Sequence, residues 1–76
     1  MEEKERLLVM KFSEGDPELK KLWTEHLDYE QKLRDLEKKV HLSPEEELEK
    51  KRLQKLKLSG KDKMFELLKK YNVKEN

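Results

Sequence analysis

His26 is the side chain best suited to chemistry in this sequence. Glu25 precedes it and Glu30 follows four residues later, a spacing that puts imidazole and carboxylate on one helix face. Such a pair can bind a metal ion or move a proton. The same residue also falls between Leu22 and Tyr29 in an apolar series. A partly buried histidine that hydrogen-bonds across a helix pair and sets its register is the reading this position favours. His41 lies fifteen residues further on, about 22 Å along a helix, so the two imidazoles of one chain cannot share a metal. No third ligand is evident and no Cys is present, so the residues propose neither a zinc site nor a thiolate nucleophile.

Other reactive patterns are weaker still. Thr24, Ser43 and Ser59 are the only hydroxyl side chains of the Ser and Thr type after Ser13, and none has the strand–turn–helix setting of a nucleophile elbow. Ser59-Gly60-Lys61 resembles a fragment of a phosphate loop but lacks the upstream glycine and the preceding strand. Carboxylate pairs are everywhere, yet paired-acid catalysis needs a concave, water-poor pocket that so small a helical chain does not promise. Lys50, Lys51, Arg52, Lys55, Lys57, Lys61 and Lys63 form a basic strip without an aromatic neighbour. It could touch phosphates only weakly and with strong salt dependence. Trp23 and Tyr29, the aromatics that stacking on bases would require, lie on or beside the apolar series and read as core. These patterns predict no enzyme, no cofactor and no small-molecule substrate.

Composition sets the frame for those residues. The chain has 76 residues, 19 of them Lys or Arg and 18 Asp or Glu, for a net charge of +1. That length predicts one domain over residues 1–76 with a small core, and the balanced charge gives no bulk attraction to nucleic acid or membrane. The longest apolar run is Leu7 to Met10, far short of a membrane span, and the acidic start MEEKE predicts no secretory leader. Together with the absence of Cys, this predicts a cytoplasmic protein. Sixteen Lys and fourteen Glu against two Asn and two Gln resemble the usage of hyperthermophile proteins.

The elements follow from caps and spacing. Gly15-Asp16-Pro17-Glu18 is a helix start, with Asp16 as N-cap and Pro17 in the first turn. From there Leu19, Leu22, His26, Tyr29, Leu33, Leu36 and Val40 recur at spacings of 3, 4, 3, 4, 3, 4, flanked by Trp23, which predicts a long helix packed in coiled-coil fashion over 17–39. Ser43-Pro44-Glu45-Glu46 is a capping box that opens a second long helix over 44–71. Its apolar residues include Leu53, Leu56, Met64, Leu67 and Tyr71. The eleven-residue intervals from Leu53 to Met64 and from Leu56 to Leu67 read as a stutter around Ser59-Gly60, through which the helix is expected to continue. The turn between the two, roughly 40–43, is short enough to make them antiparallel neighbours. Residues 2–13 predict a short helix with Leu8 and Phe12 on one face, too short to stand alone in water, which must dock in cis or on a second chain. The tail 72–76 is expected to fray.

The segment DPELKKLWTEHLDYEQKLRDLEKK, with its acidic-Pro start, its Glu25-His26 pair and its closing Leu36-Glu37, resembles the first hairpin helix of the YdcH-like family of small bacterial proteins of unknown function. LSPEEELEKKRLQKLKLSGKDKM resembles that family's second helix, with Lys61-Asp62-Lys63-Met64 matching the end of its Leu-Lys-Asp-x-Ile/Met signature. The resemblance covers roughly residues 13–71. Gly60 departs from it, standing where the family tends to have Leu. The resemblance implies an antiparallel helical hairpin that self-associates, and it carries over no catalytic residue.

The expected fold is therefore all-α: an antiparallel two-helix coiled-coil hairpin preceded by a short N-terminal helix. The expected function is a non-enzymatic module that docks a second copy, as a homodimer, or a partner helix along the apolar seam. The alternative is a weak nucleic-acid or polyanion binder acting through the basic strip 50–63.

Overall fold

The computed structural model describes residues 2–71. Every regular element among them is helical. They are α1 (Glu3–Ser13), α2 (Pro17–Glu37), α3 (Pro44–Leu68) and a closing 3-10 turn, Lys69–Tyr71. The molecule measures 44 × 20 × 18 Å, so its long axis is little more than the ~38 Å length of α3.

Each helix begins where a local cap forms. Asp16 accepts the Leu19 N–H at 3.1 Å and Pro17 takes the first helical position, where its missing N–H costs nothing. Ser43 and Glu46 exchange side-chain and backbone hydrogen bonds at 3.2 and 3.0 Å, the reciprocal capping box. At the start of α1 the Glu2 N–H donates to the Glu5 carboxylate at 2.9 Å. α2 stops at Glu37, two residues short of the expected 39, where the Lys38 N–H turns back to the carbonyls of Arg34 and Leu36. A Lys39–Glu46 ion pair closes the turn. α3 runs unbroken through Ser59 and Gly60, and its last residues tighten into the 3-10 turn rather than staying α-helical to Tyr71. The tail expected to fray lies outside the described residues.

The core is one cluster, Val9, Leu19, Trp23, Met64 and Leu68, with Phe12, Leu22, Phe65 and Leu67 packed against it. His26, Leu33 and Leu53 are also buried, while Tyr29, Leu36 and Tyr71 are half-buried. Two seam positions depart from expectation. Val40 is 89% exposed, because α2 has already ended and the 3,4 spacing no longer applies to it. Leu56 is 37% exposed, because a stripe centred on Leu53 and Met64 leaves it on the flank of α3. Val9, the most enclosed residue of α1, was not singled out in the sequence. Leu7 and Met10 turn to solvent instead.

Contacts between α2 with its flanking residues and α3 with its flanking residues fall in descending order. Asp16 meets Tyr71 and Lys70, Glu30 meets Lys57, and Lys39 meets Glu46. α1 lies along them, with Arg6 on Glu30 and the Phe12 ring stacked on Tyr71 at 4.5 Å between centroids.

A β-carbon added at Gly60 would meet nothing within 4 Å, and the position sits mid-helix. Gly60→Ala should therefore stabilise the chain by about 1 kcal/mol, through helix propensity alone, and raise the melting temperature by roughly 4–8 °C. A thermal melt followed by circular dichroism checks this, and an unchanged or lower midpoint would contradict an open, continuous helix there.

Candidate functional site

Among the described residues, two clusters of ionisable groups and several hollows are places where chemistry or binding could occur. The first cluster forms where all three helices meet. Arg6 on α1 donates from Nη1 to both Glu30 carboxylate oxygens, at 3.1 and 2.9 Å. Lys57 on α3 approaches the same carboxylate at 3.7 Å. His26, one turn before Glu30, is only 1% exposed, and its Nε2 lies 3.4 Å from Glu30 Oε2. That approach lacks hydrogen-bond geometry, and neither ring nitrogen finds a partner among the described residues. The Trp23 ring stacks on the imidazole at 5.7 Å, and the Arg6 guanidinium lies 5.1 Å over Trp23.

The protonation states follow from these neighbours. Burial holds His26 below its ordinary value of 6.5. Glu30 opposes that shift, while the positive charges of Lys57 and Arg6 add to it. The imidazole is thus neutral at neutral pH, and the expected hydrogen bond across the helix pair is absent. Burial pushes Glu30 up, but the Arg6 hydrogen bonds and charge, with the Lys57 charge, outweigh it and leave the carboxyl below its ordinary range. The result is a charge-compensated core contact. Glu25, the other carboxylate of the expected pair, is exposed on a different side of α2.

The second cluster centres on Asp16, 6% exposed. Its carboxylate caps α2, accepts the Tyr71 hydroxyl at 2.7 Å and pairs with Lys70 at 3.1 Å. The Tyr71 hydrogen bond, the Leu19 amide and the Lys70 hydrogen bond together lower its pKa to about 2. The same hydrogen bond raises that of Tyr71. One side chain thus starts α2 and ties down the end of α3, a role that sequence reading, which saw only the cap, did not detect.

The hollows are shallow. One, of about 540 Å³, runs between α2 and α3, with Leu22 and Leu67 among its lining and Glu18, Lys21, Glu25, Lys63 and Glu66 around them. No α1 residue lines it. A second, about 240 Å³, lies nearer the turn at Lys32, Leu36, Lys39 and Glu49. A third, about 170 Å³, lies beside His26, Gln54, Lys57, Leu58 and Lys61, but the imidazole nitrogens are sealed beneath it.

The seven cations of the basic strip do not share one face of α3. Lys50, Lys51 and Arg52 are consecutive and span most of a helical turn, so the seven cations point around α3. Lys57 turns toward Glu30, Arg52 pairs with Glu49, and Lys61 lies over the Phe65 ring. Lys51, Lys55 and Lys63 remain exposed. Among the described residues no three His, Asp or Glu side chains are grouped to hold a metal ion, and no helix is long and apolar enough to cross a membrane. No family model matches the chain, and no curated protein or solved structure is significantly similar to it.

Two predictions follow from the clusters. Unfolded, His26 takes up its proton near pH 6.5, whereas folded it does so only at lower pH. The unfolded chain therefore holds more protons in that window, and stability falls as pH drops from neutral through 6.5. A second loss begins below about 4.5, where Glu30 and then Asp16 must be protonated. Replacing His26→Leu should abolish the first loss, keep the second, and stabilise the neutral chain by about 1 kcal/mol, because two unpaired buried nitrogens disappear. Urea melts across pH 4–8 would read this, and an unaltered upper limb would refute it. Tyr71→Phe should keep the stack on Phe12 yet lower the melting midpoint by several degrees. An unchanged midpoint would show that the Asp16 contact contributes nothing.

Proposed function

We propose that the chain is a non-enzymatic helical module that associates with itself, with α2 and α3 forming an antiparallel coiled-coil hairpin. The descending order of contacts from Asp16–Tyr71 to Lys39–Glu46 supports the hairpin. The observation that carries the function is the open trough between α2 and α3, where half-buried Leu22 and Leu67 lie among charged residues with no α1 residue over them. An apolar trough with charged banks has the form that accepts a helix. The ionisable clusters argue against catalysis in this reading. Glu30 is compensated by Arg6 and Lys57, Asp16 by Lys70 and Tyr71, and His26 is sealed from solvent.

The partner surface is not the seam as a whole, because Leu19, Trp23, His26, Leu33, Leu53 and Met64 are occupied within the chain. The flank of α2 that carries Leu22 and Leu36 and the flank of α3 that carries Leu56 and Leu67 remain for association. We read the protein as cytoplasmic and as a relative of the YdcH-like family, on the sequence features given above. Polyanion binding is the lesser reading, since the cations are dispersed and partly engaged. Sedimentation equilibrium from tens of micromolar to about 1 mM should show a reversible dimer, the range expected of a small interface. Added salt should weaken it modestly, whereas binding to a nucleic-acid probe would collapse steeply. A chain that stays monomeric throughout would overturn self-association.

A further inference from the structure

Five charged residues line the α2–α3 trough: Glu18 stands at its end, one turn before Lys21, and the other four, at its corners, alternate in sign around the two leucines. Lys21 and Glu25 stand one turn apart on α2, and Lys63 and Glu66 stand one turn apart on α3, around Leu22 and Leu67. The register that sets Asp16 beside Tyr71 and Glu30 beside Lys57 makes Lys21 level with Glu66 and Glu25 level with Lys63. The corners thus alternate in sign both along and across the trough, as on a checkerboard. All four residues are exposed. Lys21, Glu25 and Lys63 make no ion pair among the described residues, and Glu66 meets only Lys69, with both largely in solvent.

A checkerboard of this kind is complementary to itself. When a second copy is laid face to face on a two-fold axis in the plane of contact, each positive corner meets a negative one. This holds whether the axis runs along the trough or across it. Two-fold contacts repeat every pairing, so all four corners are satisfied at once. A partner of uniform charge gains at two corners and loses at two. We propose that the trough over Leu22 and Leu67 is the face on which a second copy of this chain docks, with Lys21, Glu25, Lys63 and Glu66 as its charged frame. This rests on the self-association proposed above and deepens it by naming the surface.

The other candidate faces lack this complementarity. Leu7 and Met10 on α1, and Val40 and Leu48 near the turn, are exposed singly or in pairs, and isolated exposed apolar residues are ordinary. The two leucines of the trough supply apolar burial, and the corners supply orientation and exclude other partners.

Charge reversal tests the face. The double variant Glu25→Lys with Glu66→Lys has four positive corners, and Lys21→Glu with Lys63→Glu has four negative ones. Each alone should dimerise about 100-fold more weakly than the unmodified chain at low salt, because four attractive pairs become repulsive. Mixed in equal amounts, the two should form a one-to-one heterodimer of at least the original affinity. Both variants must first show unchanged helix content. If either fails to fold, the decision passes to a dilution series of the unmodified chain followed by methyl NMR. The Leu22 and Leu67 signals should then shift with concentration while those of Leu7, Val40 and Leu48 hold still. Double variants that still dimerise, or concentration shifts that fall elsewhere, would overturn this face and leave self-association standing. A monomeric unmodified chain would overturn both.

Discussion

The structure depends on a half-buried carboxylate at the meeting point of three helices. Glu30 on α2 is held by Arg6 from α1 and Lys57 from α3. Glu30 is half-buried, and a carboxylate drawn partly out of water is held where opposite charge and hydrogen bonds compensate its lost hydration. Exposed ion pairs elsewhere on the surface, such as Lys32–Asp28 or Lys69–Glu66, carry no such constraint. The Glu30 cluster therefore does more than add stability. It fixes the flank of α2 against which α1 lies, and with it the flank left open. Trp23, packed between Arg6 and His26, joins this polar point to the apolar cluster around Val9, Leu19 and Met64.

From that point the molecule is closed at both ends by polar contacts of similar logic. Asp16 ties the start of α2 to Tyr71 and Lys70, and Lys39 meets Glu46 across the turn. Between them runs a narrow apolar stripe. A chain that is half charged has few apolar residues to spend, and among the described residues burial of one stripe against α1 leaves the opposite side of the pair to its own flanking side chains. Leu22, Leu36 and Leu67 are half-buried for this reason. The clusters rich in titratable groups are compensated within the chain, and the trough between α2 and α3 is the face on which we propose that a second copy docks.

The parts that could be read in the sequence are those set by near neighbours. Asp16-Pro17 and Ser43-Pro44-Glu46 are caps that form within four residues, and both helices start where those signals stand. The heptad spacing from Leu19 to Leu33 found the buried face of α2, and the eleven-residue step from Leu53 to Met64 found that of α3. What was not legible depended on distance along the chain. Arg6 and Glu30 are twenty-four residues apart in a sequence where 18 of 76 residues are acidic candidate partners. Val9 stands out only once Ser13, small and buried, is seen to share its face. The end of α2 carries no glycine signal, so Val40 continued a pattern after the helix beneath it had stopped. His26 was correctly placed in the interior but assigned a hydrogen bond that it does not make.

The central claim is that α1 packs within its own chain and so determines which side of the long helices remains free. The Phe12 and Tyr71 rings, stacked at 4.5 Å, mark that packing. Isotope-filtered NOE spectroscopy on an equimolar mixture of labelled and unlabelled chains separates contacts within a chain from contacts between chains. Cross-peaks between these two rings confined to the intrachain spectrum are the predicted result. Their appearance in the interchain spectrum, or their absence from both, would contradict the account.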